Sequence, residues 1–289
     1  MRRTVEIART IADLRSHIAH WRKSEQRIGL VPTMGALHEG HVALVRAARD
    51  ECNRVVASIF VNPKQFAPSE DLSSYPRREA ADLEVLRSAR VDLVFIPAVE
   101  EMYPPDFSTT VRVAGLTEGL CGEHRPGHFD GVATVVTKLL IQALPDAAYF
   151  GEKDYQQLMM VRRLAHDLDI PVRIVGVPTV READGLALSS RNAYLSPAER
   201  RIAPSLARVL QRIADAVARR PDAVALELTG GATELETAGF AVEYLEIRDA
   251  KTLAPVTTEI VAASRVFAAV RLGRTRLIDN VPIAPATNC

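Results

Sequence analysis

The sequence predicts an α/β protein in which a doubly wound parallel sheet is followed by a smaller α+β domain. In the first part of the chain, short apolar runs alternate with amphipathic helical stretches. A helix-start signal then introduces a C-terminal part with alternating apolar and polar residues. A chain of 289 residues, 47% of them hydrophobic, is long enough to form two domains. We therefore expect a Rossmann-like domain at residues 1–182 and a small α+β domain at residues 183–289.

Five apolar runs are predicted to be buried parallel strands. Each is too short for a typical helix, and several are rich in β-branched residues: residues 28–31, 55–61, 91–96, 147–150 and 172–177. Helices fill the gaps between them. One helix places Ile11, Leu14, Ile18 and Trp21 on a single face, and another follows Asp130. This alternation indicates βαβ units, whose ligands bind at the carboxyl ends of the strands.

The C-terminal part begins with a helix-start signal. Ser196 is suited to cap a helix, Pro197 to occupy its first turn, and Glu199 to bond back to the cap. The apolar stripe that follows predicts a long helix that ends before Pro221, and Pro204 within it should kink the helix or delay its start. Two alternating runs then suit an antiparallel sheet: residues 240–247 and 265–270.

Composition and charge argue against several classes of protein. Thirty-six basic residues balance thirty-six acidic ones, so no overall positive field is available for nucleic acid. The first residues lack the apolar run of a signal peptide, and no stretch approaches a membrane span. Cys52, Cys121 and Cys289 are too widely spaced for a disulfide framework or a metal site. We expect a cytoplasmic protein that binds neither nucleic acid nor membrane and has no metal-ligand cluster of its own.

Residues 32–41 follow the first predicted strand and indicate a phosphate-binding turn. Gly35 and Gly40 permit backbone geometry and close approach that side chains would block. His38 and His41 can donate to phosphate oxygens, and a helix starting near Glu39 directs its first N–H groups at an anion. Zinc is disfavoured because Glu39 is not placed as in H-E-x-x-H and no third ligand is evident nearby. A metal pair or a chance pattern stays open on this segment alone.

A second polar segment, residues 61–66, follows the next strand. Its neutral amides, Asn62 and Gln65, can both donate and accept, which suits a small hydroxylated molecule better than a phosphate. On its own the segment also fits an ordinary turn with solvated side chains.

Two further segments carry positive charge. In residues 150–157, Lys153 can meet a polyphosphate, Asp154 can accept from ribose hydroxyls, and Gln157 lies one turn into the next helix. Residues 189–192 offer two hydroxyls and a guanidinium that can hold phosphate. Each also fits a solvated helix start or an interdomain turn, but their recurrence at strand ends and at the domain junction favours a nucleotide site.

Five separated motifs together resemble the pantothenate synthetase family. They occur in the family's order and span nearly the whole chain: residues 32–41, 60–66, 125–132, 151–157 and 189–192. Residues 277–280 also resemble the family's ending. The resemblance implies a nucleotidyltransferase-superfamily enzyme, related in chemistry to class I aminoacyl-tRNA synthetases, that joins (R)-pantoate to β-alanine. It further implies Mg-ATP, with Mg2+ carried by the ATP phosphates, a pantoyl adenylate, release of pyrophosphate and then AMP, and a homodimer.

The resemblance also implies a role for each matched residue. The catalytic residues contact the ATP phosphates and stabilise the charge that develops on them: His38, His41, Lys153, Ser189 and Arg191. A second group binds pantoate or lies near the atoms of the second half-reaction: Met34, Asn62, Gln65, Val136 and Gln157. The remaining ATP contacts are Pro32, Gly151, Asp154, Val180 and Ser190. No covalent enzyme intermediate is needed, because transfer of AMP gives the carboxylate a good leaving group.

Two residues depart from the family pattern. Leu188 stands where methionine is expected, a similar-sized apolar exchange that should leave its loop intact. Cys121 stands where a glutamate also occurs in the family, which removes a charge near Arg125. We expect Cys121 to be a packed thiol.

Two alternative functions stay open from the sequence. A different nucleotidyltransferase acting on a phosphorylated substrate would need extra basic residues where Gln65 and Gln157 stand. A non-catalytic adenine-nucleotide-binding module would lack the phosphate donors that this sequence contains. A tRNA synthetase is disfavoured by the neutral charge and by the lack of a recognisable anticodon-binding domain.

Overall fold

The computed structural model describes residues 5–68, 70, 72–73 and 75–284. These residues form two compact units. The first is the described part of Met1–Thr117, Arg125–Glu152 and Gln157–Pro178. The second is Glu118–His124, Lys153–Gln156 and the described part of Thr179–Cys289. Because the two units interleave along the chain, the predicted division at residue 182 stays a prediction.

The described residues of the first unit form a six-stranded parallel sheet. Its strands are β1 (Glu6–Ala8), β2 (Ile28–Thr33), β3 (Arg54–Ile59), β4 (Leu93–Phe95), β5 (Ala147–Gly151) and β6 (Arg173–Val177). Their order is β1-β4-β3-β2-β5-β6, and all neighbouring pairs are parallel. The strand series diverge between β2 and β5, which is the switch point where open α/β sheets bind ligands.

The sheet confirms the predicted α/β class and each of the five predicted strands. β3 ends at Ile59, before the predicted end at Val61, and the chain then leads into the 3₁₀ turn Pro63–Gln65. β1 was not predicted, since three residues are too few to produce a periodic signal.

Helices connect these strands along the chain. They are α1 (Ile11–Arg22), α2 (Glu39–Glu51), α3 (Glu79–Ser88), α4 (Val99–Met102), α5 (Cys121–His124), α6 (His128–Ala143) and α7 (Tyr155–Asp167). Within the first unit, α2 packs against β2, β3 and β5, while α1 packs against α6. The predicted apolar face of α1 is confirmed for Leu14, Ile18 and Trp21, which are buried, while Ile11 at the start of the helix is half-buried. Thr10 caps the helix by accepting from Asp13 N at 3.1 Å.

The described residues of the second unit form a three-stranded antiparallel sheet with helices against it. The strands are β7 (Ala241–Asp249), β8 (Ser264–Leu272) and β9 (Thr275–Ile283), in that order. The helices are α8 (Pro197–Ile202), α9 (Ser205–Arg219) and α10 (Val224–Thr237). This arrangement confirms the predicted α+β class.

The predicted long helix is in fact two helices separated at Pro204. Ser196 and Glu199 form the predicted capping box at the start of α8: Ser196 Oγ accepts from Glu199 N, and Glu199 Oε2 accepts from Ser196 N. The second helix, α9, ends at Arg219, as expected from Pro221. Pro204 cannot continue the backbone ladder of α8, so α9 starts anew after it.

Helix α10 was not predicted because its sequence contains Gly230, Gly231 and several threonines, which have poor helix propensity. Packing explains one of these glycines. A Cβ at Gly231 would lie 2.5 Å from Ile213 Cδ1 of α9, so a larger residue there would require the Ile213 side chain to move.

No helix among the described residues is long and apolar enough to cross a membrane. Cys52 and Cys121 are buried free thiols. Cys289 and the first four residues, on which part of the sequence analysis rests, lie outside the described residues.

Candidate active site

The histidine turn, residues 33–41, connects β2 to α2 at the switch point of the sheet. Two consecutive residues there have left-handed backbone conformations, Gly35 at φ 83° and Ala36 at φ 50°. Thr33 Oγ1 donates to Ser58 O at 2.6 Å and accepts from Gly35 N at 3.2 Å. A side chain at Gly35 would be strained by its φ and would meet Asp82 Oδ2 at 2.9 Å.

Asp82 of α3 holds the middle of the histidine turn. Its Oδ2 accepts from Ala36 N at 3.0 Å, and its Oδ1 accepts from Leu37 N at 2.8 Å. The carboxylate is buried, with an exposed fraction of 3% for the residue, and the two backbone donors compensate its charge. The sequence alone missed Asp82 because it lies more than forty positions from the turn that it holds.

The two histidines form a reciprocal cap at the start of α2. His38 Nδ1 accepts from Gly40 N, and His41 Nδ1 accepts from His38 N, both at 3.2 Å. The two ring centroids are 4.2 Å apart. Because Nδ1 of each ring is an acceptor, each neutral imidazole carries its proton on Nε2. The turn therefore presents Nε2 as the donor atom of both histidines.

The amide cluster, Asn62 and Gln65 with the residues that touch them, follows β3. Asn62 is buried, with 1% of its surface exposed. Its Nδ2 donates to Gln65 Oε1 at 3.0 Å and to Gly131 O at 3.1 Å. Its Oδ1 accepts from Tyr103 Oη at 2.8 Å and from Lys64 N at 3.3 Å. The amide of Asn62 is thus saturated by protein groups and fixes the orientation of Gln65.

The Gln65 amide has a defined polarity as a result. Since Oε1 already accepts from Asn62, Nε2 is the end that lies 3.2 Å from Met34 Sδ. A thioether is a weak acceptor, so this amide is well suited to donate to an oxygen of a ligand. Burial raises the pKa of Tyr103 well above its usual value, which keeps its hydroxyl a donor to Asn62.

Gly131 of α6 lies directly against the backbone of the amide cluster. A Cβ built on Gly131 would lie 2.2 Å from Lys64 O and 2.6 Å from Gln65 N. No side chain fits in that space, so glycine permits α6 to pack on the 3₁₀ turn Pro63–Gln65. The family-like segment at residues 125–132 contains Gly131, but the sequence alone assigned it no role.

In the second unit, Lys153 is held through its backbone. Asn280 Nδ2 donates to Lys153 O at 2.9 Å, and Asn280 Oδ1 accepts from Arg265 Nε at 2.7 Å. The Arg265 guanidinium also lies over the ring of Tyr155, 4.1 Å from its centroid. The Lys153 ammonium lies 3.9 Å from Asp154 Oδ2, a long ion pair with which an incoming anion would compete.

The arginine loop, residues 180–192, also belongs to the second unit. Leu188 N donates to Val180 O at 3.0 Å, which brings the two arms of the loop together. Arg181 forms two bonds to the buried carboxylate of Asp279, at 2.6 and 2.9 Å. Ser189 caps the 3₁₀ turn Ser190–Tyr194 by accepting from Arg191 N at 3.3 Å. β9 therefore anchors both this loop, through Asp279, and Lys153, through the next residue.

The two units divide the predicted site residues between them. The first unit contains Pro32, Met34, His38, His41, Asn62, Gln65, Val136, Gly151 and Gln157. The second unit contains Lys153, Asp154, Val180, Ser189, Ser190 and Arg191. In the first unit, direct contacts join His38 to His41 and Gln65 to Met34 and Asn62. The individual roles of these residues stay predictions.

The two residues that depart from the family pattern, Leu188 and Cys121, both make contacts within the second unit. Leu188 supplies the backbone bond to Val180. Cys121 is buried, as expected of a packed thiol, and its Sγ lies 3.2 Å from Tyr244 Oη and 3.6 Å from Arg276 Nη2. Glu243 bonds the same guanidinium at 2.8 Å, so Arg276 is paired with a carboxylate despite the cysteine.

No group of three or more His, Cys, Asp or Glu side chains that could hold a metal ion occurs in the described part of the chain. Mg2+ bound with a nucleotide is commonly held by phosphate oxygens, water and only one or two carboxylates. The residues present are therefore compatible with a cation that is carried by the phosphates.

Comparison with known sequences gives a consistent result over the full length. The family model described as pantoate-beta-alanine ligase matches residues 6–282. A pantothenate synthetase of Paramagnetospirillum magneticum is 55% identical, covering 99% of this chain and 100% of the relative. One from Dinoroseobacter shibae is 54% identical, with 96% and 99% covered.

Solved structures show the same similarity in three dimensions. A pantothenate synthetase from Thermus thermophilus superposes with a TM-score of 0.91 at 50% identity, covering 97% of this chain and 100% of that one. A pantoate-beta-alanine ligase from Francisella tularensis, solved in complex with beta-gamma ATP and beta-alanine, has a TM-score of 0.82 at 35% identity. That similarity covers 96% of this chain and 97% of the Francisella chain.

Proposed function

The chain belongs to the pantoate-beta-alanine ligase family, and we propose that it condenses (R)-pantoate with β-alanine to pantothenate through a pantoyl adenylate. It is an enzyme that uses ATP. The relatives cover nearly the whole chain, and the Francisella relative was solved with an ATP form and β-alanine, which supports the same substrates here.

In the first step, a pantoate carboxylate oxygen attacks the α-phosphorus of ATP, and the bond from that phosphorus to the pyrophosphate oxygen breaks. Pyrophosphate leaves, and the carboxylate becomes an acyl adenylate. Negative charge shifts onto the leaving oxygen in the transition state, so fixed donors and cations aimed at the phosphates lower the barrier. We assign the donors to His38 and His41 and the remaining charge to Lys153, Arg191 and the hydroxyl of Ser189.

In the second step, the neutral amine of β-alanine attacks the acyl carbon. The amide bond forms, the bond to the AMP oxygen breaks, and one proton leaves the amine nitrogen. The substrates need only be held in reach of one another, since AMP is already a good leaving group. This chemistry agrees with the amides and imidazoles that the first unit contains and with the cations that the second unit contains.

The reciprocal cap of His38 and His41 is the single observation that carries this proposal. Each Nδ1 is committed to a backbone donor, so both rings offer Nε2–H from a fixed position. The first turn of α2 begins at the same place and adds its positive dipole end. A neutral donor pair at a helix start suits phosphate oxygens without requiring protonated histidines.

For pantoate, the amide of Gln65 supports the assignment most directly. Its Nε2 end is turned away from Asn62 and lies beside Met34, so one donor and one apolar thioether are adjacent. A hydroxylated carboxylate that carries methyl groups needs this combination of donor and apolar surface. We assign Val136 to the apolar part and Gln157 to a second polar contact. Asn62, whose amide is saturated by protein groups, is assigned to the second half-reaction through the groups that it positions.

ATP is further assigned to Pro32, Gly151, Asp154, Val180 and Ser190, with Mg2+ entering on its phosphates. Gly151 ends β5 beside the switch point, where an α/β sheet binds its ligand. A homodimer is proposed from the family resemblance, and light scattering of the purified protein after gel filtration tests it.

Pyrophosphate exchange tests the proposed function. The purified protein, given Mg-ATP, (R)-pantoate and labelled pyrophosphate but no β-alanine, is expected to move the label into ATP. Omission of pantoate should stop the exchange. Exchange that does not depend on pantoate, or no exchange from an enzyme that still forms pantothenate, would contradict the adenylate step.

A further inference from the structure

Gln65 is also held from its backbone side, by a row of three side chains in the first unit. Arg125 bonds both carboxylate oxygens of Glu70, with Nε to Oε1 at 2.6 Å and Nη2 to Oε2 at 2.7 Å. Arg125 Nη1 lies 2.9 Å from His128 Nε2. His128 Nδ1 lies 2.9 Å from Gln65 O. The row therefore runs from a carboxylate to the carbonyl of the residue assigned to pantoate.

The chemistry of the groups fixes the direction of every bond in this row. A guanidinium can only donate, so His128 Nε2 accepts from Arg125. The imidazole proton then lies on Nδ1, and it donates to Gln65 O. A doubly protonated ring would point a donor at Arg125, so the row is consistent only with neutral His128.

Arg125 is placed to support other residues rather than to receive a substrate carboxylate. Its Nε, Nη1 and Nη2 atoms are all committed to protein partners, and Glu70 balances its charge. Burial raises the pKa of Glu70, but the hydrogen bond and charge of Arg125 outweigh this and hold the pKa below its usual range. The pair therefore stays ionised and rigid at neutral pH.

We infer that Glu70, Arg125 and His128 form a positioning relay that places the Gln65 amide for pantoate. The inference rests on the proposed function, in which Gln65 donates to pantoate. Asn62 orients the amide end of Gln65, and the relay fixes its backbone end, so the residue is pinned at both ends. Loss of the relay moves the donor away from pantoate, while the caps of His38 and His41, which involve neither Gln65 nor the relay, keep the ATP donors in place.

Substitution of His128 gives a specific kinetic pattern. Among the contacts of the described residues, His128→Ala removes the 2.9 Å bond to Gln65 O and leaves the 3.4 Å bond from Arg125 Nη2. We expect kcat/KM for pantoate to fall about tenfold to a hundredfold, while the KM for ATP changes by less than about twofold. His128→Phe keeps a ring in contact with Phe129 but has no donor, and it should behave like His128→Ala.

His128→Asn provides the rescue. Its side-chain amide can reach from the position of Nδ1 and donate to Gln65 O, so we expect it to recover most of the kcat/KM for pantoate that His128→Phe loses. If His128→Ala does not fold, the comparison of His128→Phe with His128→Asn carries the same test. His166→Asn is the matched control, because His166 is an exposed histidine on α7 that pairs only with Asp167 among the described residues.

A double-mutant cycle tests whether the relay acts through Gln65. In the Gln65→Ala background, His128→Phe is expected to change kcat/KM for pantoate by less than about twofold, because the positioned group is already absent. Equal losses in both backgrounds would overturn the relay. An equal rise in the KM values for ATP and pantoate would also overturn it, since that indicates a general structural defect.

Failure of the relay and failure of the proposed function give different results. If Gln65→Ala leaves kcat/KM for pantoate unchanged, the assignment of Gln65 to pantoate is wrong and the relay falls with it. If Gln65→Ala lowers that value and His128→Phe does not, the relay alone is wrong. Pantoate-dependent pyrophosphate exchange by the unmodified enzyme, measured in the same preparation, tests the function independently of both.

Discussion

The histidine turn and the arginine loop carry the predicted phosphate contacts, yet they are held in different ways. The caps of the histidine turn join residues two and three positions apart, and its partners are backbone N–H groups. The arginine loop depends on Asp279, 98 positions from Arg181, and Lys153 depends on Asn280, 127 positions away. Asp82, 45 and 46 positions away, also holds the histidine turn, but its two caps are local and neutral, whereas the arginine loop and Lys153 are anchored by side chains of β9.

This difference predicts how each region responds to change. A cap within one helix turn forms with the helix, so the histidine turn should tolerate disturbance of the second unit's strands. The arginine loop should loosen whenever β9 loses a side chain that holds it. A substitution in one of the two regions should therefore leave the other intact.

The largest effect is expected at His38, where capping and catalysis can be separated. His38→Asn keeps a side-chain oxygen that can accept from Gly40 N, whereas His38→Ala removes both cap and donor. We expect both variants to lose about a hundredfold to a thousandfold in pantoate-dependent pyrophosphate exchange. Only His38→Ala should also lose about 1 kcal/mol of unfolding free energy.

Exchange rates and urea unfolding of both variants check this prediction. Near-normal exchange by His38→Asn would show that the histidine acts only as a cap, and the phosphate role would then be wrong.

The next effect concerns close backbone packing in the amide cluster. Gly131→Ala would bring a methyl group to 2.2 Å from Lys64 O, so either α6 or the turn that carries Gln65 must shift. We expect kcat/KM for pantoate to fall about tenfold or more and unfolding free energy to fall by about 1–3 kcal/mol.

Gly230→Ala is the matched control, since nothing lies within 4 Å of a Cβ at that α10 position. Glycine is a poor helix former, so this change should stabilise the protein by up to about 1 kcal/mol and leave the kinetics unchanged. Equal behaviour of the two variants would contradict the packing argument.

A smaller effect is expected from Asp279→Asn in the second unit. The substitution removes the carboxylate that holds Arg181, and we expect a loss of about 2 kcal/mol in stability and about tenfold in exchange. Hydrogen exchange should become faster across residues 180–192 and stay unchanged across residues 33–41. Equal loss of protection in both segments would show that the two regions are not independently organised.

The smallest effect is a pH dependence in the arginine loop. A hydrogen bond from Arg200 holds the pKa of Asp184 below its usual range. Since the folded pKa lies below the unfolded one, the stabilisation is present above about pH 4 and is lost as pH falls through the folded value. Asp184 is well exposed, so solvent screening limits the effect to less than about 1 kcal/mol.

Urea unfolding of the unmodified protein and Asp184→Asn at about pH 7 and about pH 3 checks the sign. The difference in stability should be present at the higher pH and shrink toward zero at the lower one. A difference that grows on acidification would mean that the Arg200 pair does not stabilise the folded loop.

The same contrast between local and distant contacts explains which features could be predicted from the sequence alone. Strands, caps and the histidine turn depend on neighbours in the chain, so Ser196 and the glycines near His38 were informative. Gly131 and Asp82 act by contacts across the fold, with Lys64 and with the backbone of residues 36–37. No local pattern marks such residues. Helix α10 was missed because Gly230 and Gly231 lie within it, and glycine has poor helix propensity.

Oxygen transfer is the most direct test of the central claim, that the carboxylate of pantoate is activated by AMP. Pantoate labelled with oxygen-18 in both carboxylate oxygens is converted with unlabelled ATP and β-alanine, and the products are analysed by mass spectrometry. If AMP activates the carboxylate, one labelled oxygen is expected in AMP and one in the amide carbonyl of pantothenate. Unlabelled AMP, or a labelled oxygen in inorganic phosphate formed together with ADP, would contradict it.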